Sequence, residues 1–168
     1  MKAMSFNCRG LAGPPKRSAL KRVVSLERPD VLLLQEMLGG VGEVKLKLES
    51  WFSGWHFEAL DVKGRSGGLV VGWDERNLKV FNLWGMDFVL GMTVIALDLD
   101  EEFTIMNIYG PYQARVPIRE DFFSKNIMKG DSVIIGGDLN LSLGHLEVSG
   151  PSARVDILSD FLSKDWLG

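Results

Sequence analysis

The 168-residue sequence predicts one mixed α/β domain, on three observations. Strand-like and helix-like segments alternate from the first residues, as in a layered α/β unit. Val31-Leu32-Leu33-Leu34 is continuously apolar, which fits a strand buried on both faces. Between residues 55 and 109, successive segments rich in Val, Ile, Phe and Trp are separated by turn chemistry. Nearly half of the residues are apolar and about a quarter charged, so the chain is globular and long enough for one real core.

The elements follow in order. Lys2 to Asn7 is short and extended. Pro14-Pro15 break the chain, and Leu20, Val23 and Val24 then make an apolar stripe at helical spacing to about Glu27. Pro29-Asp30 stop that helix, and the strand that opens at Val31 terminates in Gln35-Glu36. Gly39-Gly40-Val41-Gly42 reads as a loop before a short helix over residues 43–48. It is not a dinucleotide fingerprint, because the third glycine of that spacing falls on Lys45. Strands are expected at residues 55–61, 69–73, 79–83, 93–99 and 103–109, in meander-like succession. Asp98, Asp100, Glu101 and Glu102 crowd one turn, an exposed hairpin end. Gly110-Pro111 stop the last of these strands. Ile118, Phe122 and Ile127 mark a helix to about Met128. Residues 132–138 form a further strand, and Val155, Leu158, Phe161 and Leu162 a closing helix.

Composition excludes several classes. Cys8 is the single cysteine, so there is no intramolecular disulfide. Two histidines and one cysteine cannot build a zinc site of the usual His/Cys kind. A metal would be held by oxygens, which points to Mg²⁺ or a similar hard ion. The amino terminus lacks the apolar stretch of a signal peptide, and no run is long enough to span a bilayer. An intracellular location, cytosol or nucleus, is therefore expected, with no membrane partner. The net charge of −3 does not mark a nucleic-acid binder. Residues 9–28 nevertheless carry Arg9, Lys16, Arg17, Lys21, Arg22 and Arg28 against only Glu27, a local balance of +5. Such a stretch meets phosphates in some proteins and is more often the solvated face of a helix.

Candidate chemistry lies at the strand ends. In Ile134-Ile135-Gly136-Gly137-Asp138-Leu139-Asn140, an apolar run ends in two glycines and then an acid and an amide two positions apart. This reads as a strand delivering Asp138 and Asn140 to its carboxyl end, or as a turn bent by the glycines and capped by Asp138. Asn7, Glu36 and Tyr109 end other strands. Were those strands side by side and pointing one way, two carboxylates, two amides and a phenol would converge on one rim. That set suits a divalent cation and phosphoryl-ester hydrolysis.

Asn7-Cys8-Arg9-Gly10, Leu34-Gln35-Glu36, Asn107-Ile108-Tyr109-Gly110-Pro111 and Gly136-Gly137-Asp138-Leu139-Asn140 stand in an order that resembles the endonuclease/exonuclease/phosphatase superfamily. The opening Ser5-Phe6-Asn7-Cys8-Arg9-Gly10-Leu11 and the turn Arg65-Ser66-Gly67-Gly68-Leu69 look most like the endonuclease domain of plant LINE-type (non-LTR) retrotransposons. The resemblance implies a four-layer α/β/β/α sandwich of two mixed β-sheets, with residues 1–168 covering the amino-terminal two-thirds or so of the family domain. It implies that Glu36 binds Mg²⁺ (Mn²⁺ is an alternative ion) and that Asn7 completes the metal site. Asp138 would orient and activate water, Asn140 would hold the scissile phosphate, and Tyr109 would contact the phosphate as charge develops. Arg9 is a further candidate phosphate contact. The implied partner is DNA, nicked to leave a 3′-hydroxyl, and no small-molecule cofactor is implied.

The family pattern also has a later aspartate and a Ser-Asp-His motif, and nothing in this sequence matches them. His56 and His145 do not follow Ser-Asp, and Ser159-Asp160 is followed by Phe161. The sandwich is accordingly expected to be incomplete at its carboxyl end and the chain inactive or weakly active. The alternatives are a catalytically dead remnant or binding-only fold, and a phosphatase of the inositol-phosphate type.

Overall fold

A computed structural model describes residues 1–11, 13–61, 68–110 and 132–140 of the chain. Eight strands and two helices lie among them: β1 (Ala3–Asn7), α1 (Pro14–Glu27), β2 (Val31–Met37), α2 (Val41–Trp51), β3 (Trp55–Leu60), β4 (Gly68–Asp74), β5 (Leu78–Met86), β6 (Val89–Ala96), β7 (Glu101–Tyr109) and β8 (Val133–Asp138). The strands form two four-stranded sheets, in the orders β1-β2-β4-β3 and β5-β6-β7-β8. Each is mixed. In the first sheet β1 runs parallel to β2 while β4 is antiparallel to β2 and β3. In the second, β5, β6 and β7 form an antiparallel meander and β8 runs parallel to β7.

Side-chain alternation sorts the core into layers. Val31, Leu33, Leu69 and Val71 of the first sheet meet Met92, Val94, Ile105 and Tyr109 of the second in one buried cluster. On the other face of the first sheet, Leu32, Leu34 and Val70 pack with Leu20 and Val24 of α1 and Val44 and Leu48 of α2. β2 therefore has a core on both faces, which is why its sequence is apolar without alternation. A third cluster, Val89, Met106 and Ile108, lies on the far face of the second sheet. The two mixed sheets of the expected sandwich are thus present, with helices on the first sheet among the described residues.

Pro14 and Pro15 occupy the first helical positions of α1 instead of standing before it. Their fixed φ suits that turn, where the missing N–H groups have no intrahelical partner anyway. Arg28 ends the helix in the left-handed conformation, its N–H bonded to Val24 O at 2.9 Å. Arg17 lies 4.8 Å over the Trp51 ring and ties α1 to α2. α2 starts at Val41, two residues before the expected start, because Gly40 already serves as its N-cap. β6 runs earlier than the expected 93–99, and residues 97–100 are a turn. The alternation of Ile95-Ala96-Leu97-Asp98-Leu99 continues into that turn, where Leu97 and Leu99 are left half exposed. The helices expected near 118–128 and 155–162 and the turn residues Arg65, Ser66 and Gly67 lie outside the described residues. None of the described helices is long and apolar enough to cross a membrane.

Candidate active site

The strand ends do converge, but from two sheets instead of one. β1 and β2 are one parallel pair, β7 and β8 another, and the pairs face each other across the central core. Asn7 pairs with Gln35 at the end of the first, and Tyr109 with Asp138 at the end of the second. Asn7 Nδ2 donates to Glu36 Oε1 at 2.8 Å and to Asp138 Oδ2 at 2.5 Å. One amide thus joins carboxylates from opposite sheets. Tyr109 donates its hydroxyl to Glu36 Oε1 at 3.2 Å, and Tyr109 itself is buried.

Glu36 reaches this cluster through a bulge. Val31 and Leu33 face the second sheet and Leu32 and Leu34 face the helices, so strict alternation would send Glu36 to the helices. Instead Glu36 has φ of +53°, the β2–β4 register shifts between Leu34 and Met37, and Met37 takes the place facing the helices. A single extra residue re-aims the carboxylate. Left-handed backbone outside glycine is uncommon and gathers at functional sites. Arg9 (φ +44°) and Asn140 (φ +48°) share it.

The loop after β1 is pinned to β2 by Cys8 N to Gln35 O and Gly10 N to Glu36 O, at 2.9 and 2.8 Å. The Lys16 ammonium donates to the carbonyls of Cys8, Arg9 and Gly10 at 2.8–3.1 Å. Arg9 donates its backbone N–H to Asn7 Oδ1 at 3.2 Å, and its exposed side chain belongs to the rim. Burial pushes the Cys8 thiol up to about 11, with the Lys16 charge pulling the other way and Glu36 adding to the rise. The thiol therefore stays protonated at neutral pH and is a poor nucleophile.

Gly136 and Gly137 lie within β8 and do not make a turn. A Cβ on Gly136 would stand 2.5 Å from Leu33 Cδ1, so this glycine lets the two sheets approach beside the site. Gly137 has φ of +140°, and a Cβ there would meet Ile108 O at 1.9 Å. Beyond them, Asn140 N donates to Asp138 Oδ1 at 3.0 Å, and Asn140 Nδ2 donates to Gly110 O at 2.7 Å. All of the residues expected from sequence, Asn7, Glu36, Tyr109, Asp138 and Asn140 with Arg9 at the rim, are thus at one end of the sandwich. Gln35 and Asn107 were not singled out in the sequence, yet both are buried polar residues just behind it. A polar side chain within an otherwise apolar strand was the available signal. His56 pairs with Glu75 on the exposed surface of β3, away from these residues, and His145 lies outside the described ones. A cleft of about 520 Å³ opens at the opposite end, between Arg28, Trp55 and Arg76.

Two carboxylates suit Mg²⁺, which binds one or two of them and keeps several waters. Among the described residues no three His, Cys, Asp or Glu side chains group as a metal site, and Glu36 and Asp138 are the two carboxylates that Asn7 joins. Asn7 and Tyr109 both bond Glu36 through Oε1, and among the described residues no hydrogen bond reaches Oε2.

A two-sheet sandwich with carboxylate, amide and phenol groups at the ends of paired strands fits a phosphate-ester hydrolase. Residues 4–166 match the endonuclease/exonuclease/phosphatase family, and the chain belongs to it. An exodeoxyribonuclease of Bacillus subtilis (strain 168) is 24% identical over 164 residues, covering 92% of this chain and 64% of that enzyme. The chain therefore spans somewhat less than two-thirds of that relative. In fold it is similar to the endonuclease domain of TRAS1, a telomere-specific non-LTR retrotransposon, at TM-score 0.67 and 14% identity over 96% of this chain and 69% of that one. It is also similar to a mannosyl-6-phosphatase of Bacteroides thetaiotaomicron VPI-5482, at TM-score 0.65 and 13% identity over 84% and 66%.

Proposed function

We propose that the cluster is the metal and water-handling part of a phosphodiesterase centre of the DNA endonuclease type found in non-LTR retrotransposons. The observation that carries this is the Asn7 amide bonded at once to Glu36 and Asp138, with the Tyr109 hydroxyl on the same Glu36 oxygen. Glu36 would hold Mg²⁺ or Mn²⁺, and Asn7, already touching both carboxylates, would complete the site. When bound, the cation neutralises charge building on the phosphate. Asp138, oriented by Asn7 and by the Asn140 N–H, takes the proton of the attacking water. Tyr109, turning its one hydroxyl proton away from Glu36, would donate to a phosphate oxygen, Asn140 would hold the phosphate, and Arg9 would meet the DNA backbone at the rim.

The family's Ser-Asp-His motif, whose histidine polarises or protonates phosphate oxygens in the transition state, is not among these 168 residues. Loss of one member of a catalytic unit costs several orders of magnitude in rate. Mn²⁺ titrated into the purified chain in a calorimeter is expected to bind at one site, and Glu36→Ala or Asp138→Ala to abolish the heat. Absence of binding to the unaltered chain would overturn the metal site. Plasmid nicking in Mg²⁺ is expected to be weak or absent, and robust nicking would refute the requirement for the missing histidine.

A further inference from the structure

The geometry points to Gln35 and Asn107 as a buried amide clamp that sets one sheet against the other and holds the Glu36 bulge in place. They are positioning residues, acting through Glu36. Gln35 is 1% exposed and Asn107 0%, and both side chains face the gap between the sheets. Gln35 Nε2 donates to Asn107 Oδ1 at 2.6 Å, a link between β2 and β7. The same nitrogen lies 3.1 Å from Ser5 Oγ on β1 and 3.0 Å from Leu33 O. Asn107 Nδ2 donates in turn to Leu34 O at 3.0 Å and Val70 O at 2.8 Å.

Those two carbonyls mark where the clamp acts. Leu34 and Val70 are register partners, the last pair of the β2–β4 ladder before the irregularity that contains Glu36. Asn107 supplies donors where the bulge interrupts the ladder, and a buried carbonyl without one is costly. The clamp residues are also joined by the chain itself to the site. Gln35 precedes Glu36, and Asn107 lies two residues before Tyr109 on the same face of β7. Shifting either sheet along the other would break these bonds together with the Asn7 bridge between Glu36 and Asp138.

A buried polar pair need not stabilise the fold, because well-packed apolar groups of similar size often do as well. What it supplies is register, so the test separates position from stability. Asn107→Leu, Gln35→Met and the double variant are compared with the unaltered chain by NMR and by Mn²⁺ titration. The first readout is the Asn7 side-chain NH₂, which contacts both sheets and needs no metal. Its exchange with water is expected to accelerate about tenfold or more in each variant, while core backbone amides such as Val71 and Val94 keep their protection. Affinity for Mn²⁺ is expected to fall about tenfold, the scale of losing a group that orients a metal ligand. The double variant should be little worse than either single one, since the pair acts as a unit.

The metal readout rests on the proposed role of Glu36, and the Asn7 readout does not. Unchanged Asn7 exchange in a folded variant would overturn the clamp and leave the proposed function standing. Loss of protection throughout the core in step with Asn7 would also overturn it, since that is a general structural role. Should Asn107→Leu fail to fold, Gln35→Met, which leaves Asn107 on its two carbonyls, decides by the same criteria.

Discussion

Glu36 combines a left-handed backbone with a carboxylate that Asn7 ties to a second one on Asp138. The backbone term is about 1–2 kcal/mol for a residue with a Cβ. Replacement separates the two. Glu36→Ala removes the carboxylate and keeps the strain, whereas Glu36→Gly removes both. The glycine variant is expected to be the more stable by about 1 kcal/mol, read from urea midpoints, although glycine ordinarily weakens a strand. A glycine variant no more stable than the alanine one would mean that the bulge relaxes once the carboxylate is gone.

At the scale of the element, β8 illustrates how two opposing effects are decided by magnitude. Alanine in place of a strand glycine gains about 0.5–1 kcal/mol of backbone entropy. At Gly136 the added methyl meets Leu33, which is 1% exposed and has little room to move. Overpacking of that kind costs about 1–3 kcal/mol, so Gly136→Ala is expected to destabilise the protein in urea unfolding. The bond from Asn7 to Asp138 should weaken with it, as the sheets are pushed apart there. A stabilised variant would show that the sheets do not approach this closely. The neighbouring glycine, with its left-handed φ and the Ile108 carbonyl against it, has no tolerable side chain. In the sequence the Gly-Gly pair admitted both a turn and a strand end, since both uses need the same residue. The choice depended on Leu33 and Ile108, about a hundred and about thirty residues away in the chain.

For the whole molecule, stability against pH follows from groups at opposite ends of the sandwich. The Arg76 guanidinium hydrogen-bonded to Asp74 holds its carboxyl below the usual carboxylate range, although burial opposes this. A depressed acid contributes stability above its unfolded value of 3.8, and this is lost as pH falls through the folded value. Cys8 works in the other direction. Its folded value of about 11 exceeds the ordinary 9.0, so the folded state retains a proton that the unfolded chain releases. Its contribution is complete below about 9 and declines as pH rises toward about 11. Chemical denaturation from pH 2 to 11 is expected to show loss on both sides. Asp74→Asn should flatten only the acid side and Cys8→Ser only the alkaline side.

The sequence alone showed which polar groups lie at the carboxyl ends of β1, β2, β7 and β8, because an apolar run closed by a polar residue is a local pattern, although β2 continues one residue past Glu36 to Met37. The order of Asn7, Glu36, Tyr109 and Asp138 then carried the family resemblance. Element limits were less legible wherever a pattern ran past its structure, as at Leu97 and Leu99. The contacts between the two sheets at the site, the Glu36 bulge and the Gln35–Asn107 clamp were decided only in the tertiary structure. Asn7 and Asp138 are 131 residues apart and Gln35 and Asn107 are 72 apart. No local spacing encodes such partners: packing brings them together, and burial then obliges every polar group caught between the sheets to find one.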